Sequence, residues 1–221
     1  MKGKLIVIEG TDGSGKSTQF RRLCQRLEET KTPFRHVVFP RYDQPSSTLI
    51  RLYLGGAFGD SPSDVNPYAA STFYAVDRFA SYQQDWGDWY QAGGLVLCDR
   101  YTTSNAVHQA SKLTGEAQER FFQWLYQFEF EQLELPKPDL VLYLDMPTGQ
   151  SLSLLRSREA ATQTTADIHE RDSAYLAACR ATASHAADSL GWKRIPCTHS
   201  GEVRTVEEIH NEIWNAVQDY L

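Results

Sequence analysis

Along the chain, short continuous apolar runs alternate with longer stretches of helical rhythm. Leu5 to Ile8 is uninterrupted and β-branched and stops at a glycine turn, as expected of a strand covered by helices on both faces. Similar runs recur at Val37–Phe39, Leu95–Cys98 and Leu140–Leu144, with a weaker one at Lys193–Cys197. Between them the pattern predicts helices over Gly15–Thr30, Pro67–Tyr90, Glu116–Leu133 and Ala166–Leu190. Strands alternating with helices predict an α/β fold with a parallel sheet.

A last helix is marked by its start signal. Thr205 and Glu208 form a capping box ahead of Ile209, Ile213 and Val217, whose spacing gives one apolar stripe. The cluster Phe121, Phe122, Trp124, Leu125 and Phe128 reads as core or as a subunit interface rather than a ligand site.

Composition narrows the class. At 221 residues, 41% hydrophobic and 23% charged, the chain can bury a substantial core and is neither disordered nor fibrous. No composition shift marks a linker, so one domain over residues 1–221 is expected. A net charge of −6 argues against nucleic-acid polymers or anionic membranes as partners, while leaving room for a local basic pocket. The first apolar run is too short for a signal-peptide core and no stretch has the length of a membrane span. The four cysteines (Cys24, Cys98, Cys179, Cys197) are scattered without metal-ligand spacing, so reduced thiols and a cytoplasmic location are expected.

The sharpest chemical signal is Gly10-Thr11-Asp12-Gly13-Ser14-Gly15-Lys16-Ser17, which matches G-x-x-x-x-G-K-[ST] in full between a strand and a helix. Its glycines let backbone N–H groups face phosphate oxygens, and the helix N-terminus that carries Thr18 adds positive potential. Lys16 is placed to reach the β and γ phosphates of ATP, and Ser17 to hold Mg²⁺. Asp12 is costly beside a polyphosphate unless it serves some other group, such as a ribose hydroxyl, and a solvated turn is the alternative. Asp99 ends an apolar strand at the edge where α/β proteins bind ligands and can bind magnesium-linked waters, while Arg100 beside it can fork onto a phosphate. A plain salt bridge between the two is the other reading. Tyr74 and Arg78, four apart, share a helix face, as simple packing would also require.

The chain resembles the thymidylate kinases. The resemblance rests on Glu9 to Gln19, Phe39-Pro40-Arg41-Tyr42, Tyr74 to Arg78, Asp99-Arg100-Tyr101-Thr102-Thr103-Ser104-Asn105, Leu135 to Leu140 and Leu144-Asp145-Met146-Pro147, six pieces in order. It implies a P-loop kinase fold, a parallel five-stranded sheet flanked by helices with a lid segment, and transfer of the γ-phosphoryl of Mg-ATP to thymidine monophosphate (dTMP). It further implies that Asp12 lies near the 3′-hydroxyl, that Phe39, Arg41 and Tyr42 help hold the acceptor, and that Tyr74 stacks on thymine. Arg78 and Asn105 would read the base edge. His108 stands where relatives often carry an aromatic residue beside the ribose, and Phe73 is a second ring near the stacking position. Because Gly13 replaces the basic residue that some members carry within the loop, the resemblance assigns the extra positive charge to a lid over 156–171, with Arg156 and Arg158 as catalytic candidates and Arg171 in reserve. A homodimer is implied as well. Two other readings share these features: a deoxynucleoside kinase of the same fold, and a nucleotide-binding regulator without turnover.

Overall fold

The structure is a computed structural model that describes residues 2–162 and 173–221, with backbone alone for 156–162 and 173. Five strands, β1 (Lys4–Glu9), β2 (Phe34–Val38), β3 (Leu95–Asp99), β4 (Leu140–Asp145) and β5 (Lys193–Pro196), form one sheet in the order β2-β3-β1-β4-β5. Every neighbouring pair is parallel. A two-residue hairpin, β6 (Thr198–His199) with β7 (Glu202–Val203), follows β5. The helices are α1 (Lys16–Glu29), α2 (Thr48–Leu54), α3 (Pro67–Ser81), α4 (Gly87–Gln91), α5 (Thr102–His108), α6 (Glu116–Tyr126), α7 (Thr148–Thr162), α8 (Ser173–Ser189) and α9 (Val206–Val217).

Strand periodicity explains the two-layer cover. Leu5 and Val7 face one side with Val96, Cys98, Val141 and Tyr143, against Phe121, Phe122 and Leu125 of α6 and Ala183 and Ala186 of α8. Ile6 and Ile8 face the other side, against Phe20, Leu23 and Leu27 of α1 and Ile209, Ile213 and Val217 of α9. Each such fully buried aliphatic residue is worth roughly 1.5–3 kcal/mol of transfer free energy, which fixes the register of both layers.

The capping box forms as expected: the Glu208 N–H donates to Thr205 Oγ1 at 3.2 Å and Glu208 Oε2 accepts from the Thr205 N–H at 2.8 Å. Phe121, Phe122 and Leu125 are core. The second strand begins earlier than expected and ends at Val38, because it lies at the sheet edge with three of its five positions exposed and two half-buried instead of forming one apolar run. The expected helix from Pro67 divides into α3, a π-helical turn over Tyr82–Trp86, and α4. That from Glu116 divides likewise into α6 and a π-helical turn over Gln127–Gln132. The cysteines are free, and burial raises the thiol pKa values, to about 11 at Cys24 and about 12 at Cys179 and Cys197, so none is a ready nucleophile.

Candidate active site

The phosphate loop joins the C-terminal end of β1 to α1, at the centre of the sheet's C-terminal edge. Gly13 is left-handed (φ 78°), and a Cβ there would lie 2.3 Å from the Ser151 carbonyl oxygen of α7. A basic side chain at this position is therefore excluded by packing as well as by conformation. Gly15 caps α1 without a side-chain hydrogen bond, and the first turn carries no acidic residue, so its N–H groups are not taken by a competing carboxylate.

Parallel pairing of Ile8 with Asp99 brings the Asp99 side chain up to the loop. Lys16 Nζ lies 3.6 Å from Asp99 Oδ1, and both side chains are only 8% exposed. Asp99 Oδ1 and Ser14 Oγ are buried and take part in no hydrogen bond. A buried acceptor left this way is expensive, so the loop is built for something else to satisfy it. Ser17 and Asp99 could supply oxygen donors to a hydrated divalent cation, and Lys16 a counter-charge to a polyphosphate.

On the β3 side of the loop lies a cleft of about 140 Å³, lined by Asp12, Phe39, Tyr42, Tyr74, Arg78, Arg100, Asn105 and His108 among others. These eight residues come from four stretches of the chain, the phosphate loop, the loop after β2, α3, and residues 100–108, yet each was a candidate from the sequence. Tyr74 is the ring that faces the cleft; Phe73 packs away from it on Tyr53 and Phe58. Arg41 does not line the cleft. Its guanidinium is held by Asp77 (3.3 Å), Ser46 (3.3 Å) and Asp85, and its N–H donates to Asp77 Oδ2 at 2.9 Å.

Arg100 connects cleft and loop. Its backbone is left-handed (φ 68°), held there as its N–H donates to the Ile8 carbonyl at 3.1 Å. Its guanidinium pairs with Asp12, lies 3.7 Å from Glu9 and donates to His108 Nε2 at 3.2 Å. Burial opposes its charge, but Asp12, Glu9 and Asp99 outweigh this and raise its pKa further.

Three carboxylates in this region were not singled out from the sequence. Glu9, fully buried, accepts from Thr103 Oγ1 (2.6 Å), Ser104 Oγ (2.7 Å) and the Gly10 N–H (2.9 Å). Glu129 receives Arg78 through Nε (2.6 Å) and Nη2 (2.5 Å). Asp77 anchors Arg41. Gln109 also lines the cleft with both amide atoms buried and unpartnered. Of the lid candidates, the side chains of Arg156 and Arg158, and Arg171 altogether, lie outside the described residues, as does most of the expected 156–171 segment. No group of three or more His, Cys, Asp or Glu side chains that could hold a metal ion occurs among the described residues. No described helix is long and apolar enough to cross a membrane.

The chain is similar to known proteins in sequence and in fold. A thymidylate kinase of Mycobacterium tuberculosis is 34% identical over 172 residues, spanning 76% of this chain and 78% of its own length. One from Pelotomaculum thermopropionicum is 31% identical over 171 residues, covering 77% and 75%. A solved structure of thymidylate kinase from Candida albicans shares the fold with a TM-score of 0.69 at 21% identity, covering 99% of this chain and 92% of that one. The thymidylate kinase family model matches residues 8–213. Nearly the whole chain is thus accounted for by one family, and the chain belongs to the thymidylate kinases.

Proposed function

We propose that this chain transfers the γ-phosphoryl group of ATP to the phosphate of dTMP, yielding dTDP and ADP. The observation that carries the proposal is the position of Arg100, which touches the phosphate loop through Asp12 and lines the adjoining cleft. A donor phosphate chain on the loop and an acceptor phosphate in the cleft would meet at that guanidinium.

An acceptor phosphate oxygen forms the new bond to the γ phosphorus as the bond from that phosphorus to the β–γ bridging oxygen breaks, and the electron pair leaves with ADP. The acceptor is already anionic at neutral pH, so no strong general base is needed. Lys16 and Arg100 stabilise the charge spread over the transferring group, at 7% exposure for Lys16 and in a partly closed site where such donors act strongly. Ser17 and Asp99 would hold Mg²⁺ directly or through water. When bound, Mg²⁺ neutralises β and γ charge and fixes their geometry.

Asp12 serves the acceptor ribose side and aims Arg100. Tyr74 supplies the stacking face, and Phe39, Tyr42 and His108 close the acceptor pocket, with Arg41 steering the acceptor phosphate from the cleft's margin. Arg78 and Asn105 read the base. The exclusion of a basic side chain at Gly13 supports lid arginines, Arg156 and Arg158, as the source of further positive charge. Family membership supports a cytoplasmic homodimer.

The test is ADP release from ATP and Mg²⁺ with dTMP, with thymidine, or with no acceptor. Turnover with dTMP alone is the expected result. Preference for thymidine would reassign the chain as a nucleoside kinase, and release in no condition would leave a binding protein.

A further inference from the structure

We propose that Glu129 is the positioning residue that sets the pyrimidine specificity of the acceptor site. This inference deepens the dTMP kinase reading and rests on it. Glu129 lies in the π-helical turn after α6 and is fully buried, where an uncompensated carboxylate would be costly. It is compensated by the residues that read the base. Arg78 donates to it through Nε at 2.6 Å and Nη2 at 2.5 Å, Thr102 Oγ1 donates at 2.6 Å, and Asn105 Nδ2 lies 3.5 Å from Oε1.

The cleft is affected in two ways. Arg78 spends one further N–H on the Tyr101 carbonyl at 3.4 Å, so three of its five N–H bonds are committed and it remains a pure donor toward the cleft. The Asn105 amide has one orientation that its surroundings accept. Nδ2 faces two acceptors, the Ser71 carbonyl at 3.2 Å and Glu129 Oε1, whereas the flipped amide would set Oδ1 against both. Asn105 Oδ1 is therefore directed away from both and presented to the cleft that Asn105 lines.

Donor and acceptor side by side form a template for thymine. O4 of thymine accepts from Arg78, and the N3–H of thymine donates to Asn105 Oδ1. Cytosine inverts both groups, placing its N4 amino group against Arg78 and its N3 lone pair against Oδ1. Uracil presents the same edge as thymine, so Glu129 governs the thymine–cytosine choice and leaves the methyl contact to others. The carboxylate itself touches no substrate atom; it acts by fixing Arg78 and the amide state of Asn105.

Glu129→Gln puts an amide where the carboxylate stood. With its amino group at the Oε1 position, that new amide can donate to Oδ1 of a flipped Asn105, at the expense of the Arg78 Nη2 bond and with only the Ser71 carbonyl still opposing the flip; the thymine template is loosened, and Nδ2 turned toward the cleft suits cytosine N3. The experiment measures kcat/KM for dTMP, dUMP and dCMP in the wild-type and variant enzymes, with urea unfolding as the check on folding. The expected result is a fall of about tenfold or more in the dTMP to dCMP ratio, the dTMP to dUMP ratio holding within about twofold and the KM for ATP unchanged. A merely structural role would lower all three acceptors alike and leave their ratios intact, which would overturn the proposal. Should Glu129→Gln fail to fold, Glu129→Asp keeps the charge that Arg78 needs but shortens the reach, and an unchanged dTMP to dCMP ratio there is equally fatal. A wild-type enzyme with no preference for dTMP over dCMP would overturn the functional reading itself, a result distinct from either variant outcome.

Discussion

Replacing Lys16 with Met separates the chemistry of the site from its contribution to folding. The Lys16 ammonium lies 3.6 Å from Asp99 Oδ1, beyond hydrogen-bond distance, and both groups are nearly out of water. Losing it leaves Asp99 as a buried carboxylate with one oxygen in no hydrogen bond, at a cost of about 1–3 kcal/mol. A chain of this size is stable by roughly 5–15 kcal/mol, so the variant stays folded with a lowered urea midpoint. Adding Asp99→Asn removes the stranded charge, and the double variant should recover part of that midpoint. Turnover should behave differently, because in the proposed mechanism the ammonium meets charge that develops on the transferring group. A fall in kcat of about 10³, roughly 4 kcal/mol of barrier, is expected from coupled ADP release. The double variant should recover none of it. A folded Lys16→Met enzyme within tenfold of wild-type kcat would refute the assignment of the phosphate loop as the donor site.

Arg156→Ala should lower kcat by more than about tenfold with a smaller effect on the KM for dTMP, if the lid arginine acts mainly in the transition state; steady-state kinetics on Arg156, Arg158 and Arg171 alanine variants decide, and losses below tenfold in all three would remove the lid from the mechanism. Asp77→Asn frees Arg41 from its buried anchor and should raise the KM for dTMP by about tenfold with kcat nearly unchanged, whereas an unaltered KM would show that Arg41 does not steer the acceptor. Lys112 donates to Tyr53 Oη and the Val65 carbonyl, and burial pulls its pKa down to about 8 from 10.5. Between those values the unfolded chain binds more protons than the folded one, so this group makes stability rise with pH across that window, by up to about 3 kcal/mol. Comparing urea midpoints of wild-type and Lys112→Met enzymes at pH 7.5 and 9.5 isolates the effect; equal differences at both values would refute it.

What could be read in the sequence was local or periodic. The phosphate loop was visible because Gly10 to Ser17 are contiguous and their spacing is imposed by the phosphates, and the inner strands because burial on both faces demands unbroken apolar runs. The edge strand β2 was misplaced for the converse reason, since three of its five residues face water. The short helices α2 and α5 and the longer α7 were not anticipated: α2 and α5 have seven residues each, too few for periodicity, and their ends are set by tertiary contacts. Glu129 and Asp77 were illegible in a deeper sense. Glu129 sits in a run of aromatic and acidic residues that reads as a half-solvated helix, and its partner Arg78 is 51 positions away. Asp77 directly precedes Arg78, and its role appears only when the loop holding Arg41 folds back over α3.

These partners also answer how an acidic protein holds an anionic acceptor. The arginines around the cleft enter the folded state already paired, Arg78 with Glu129, Arg100 with Asp12 and Glu9, and Arg41 with Asp77 and Asp85. Their charge is largely balanced before any ligand arrives, so net positive potential is not what the cleft offers. It offers oriented N–H groups. A guanidinium has five, a carboxylate pair uses two or three, and the rest keep a direction set by a buried anchor. Holding that direction costs the protein buried charge, and the return is that little side-chain entropy is lost when the acceptor binds. Arg100 differs from Arg78 in this respect, since Asp12 is part of the phosphate loop and the Arg100 side chain is 16% exposed against 2% for Arg78. In the proposed mechanism Arg78 is fixed for recognition, whereas Arg100 would exchange part of its bond to Asp12 for a phosphate oxygen as the charge on the transferring group develops.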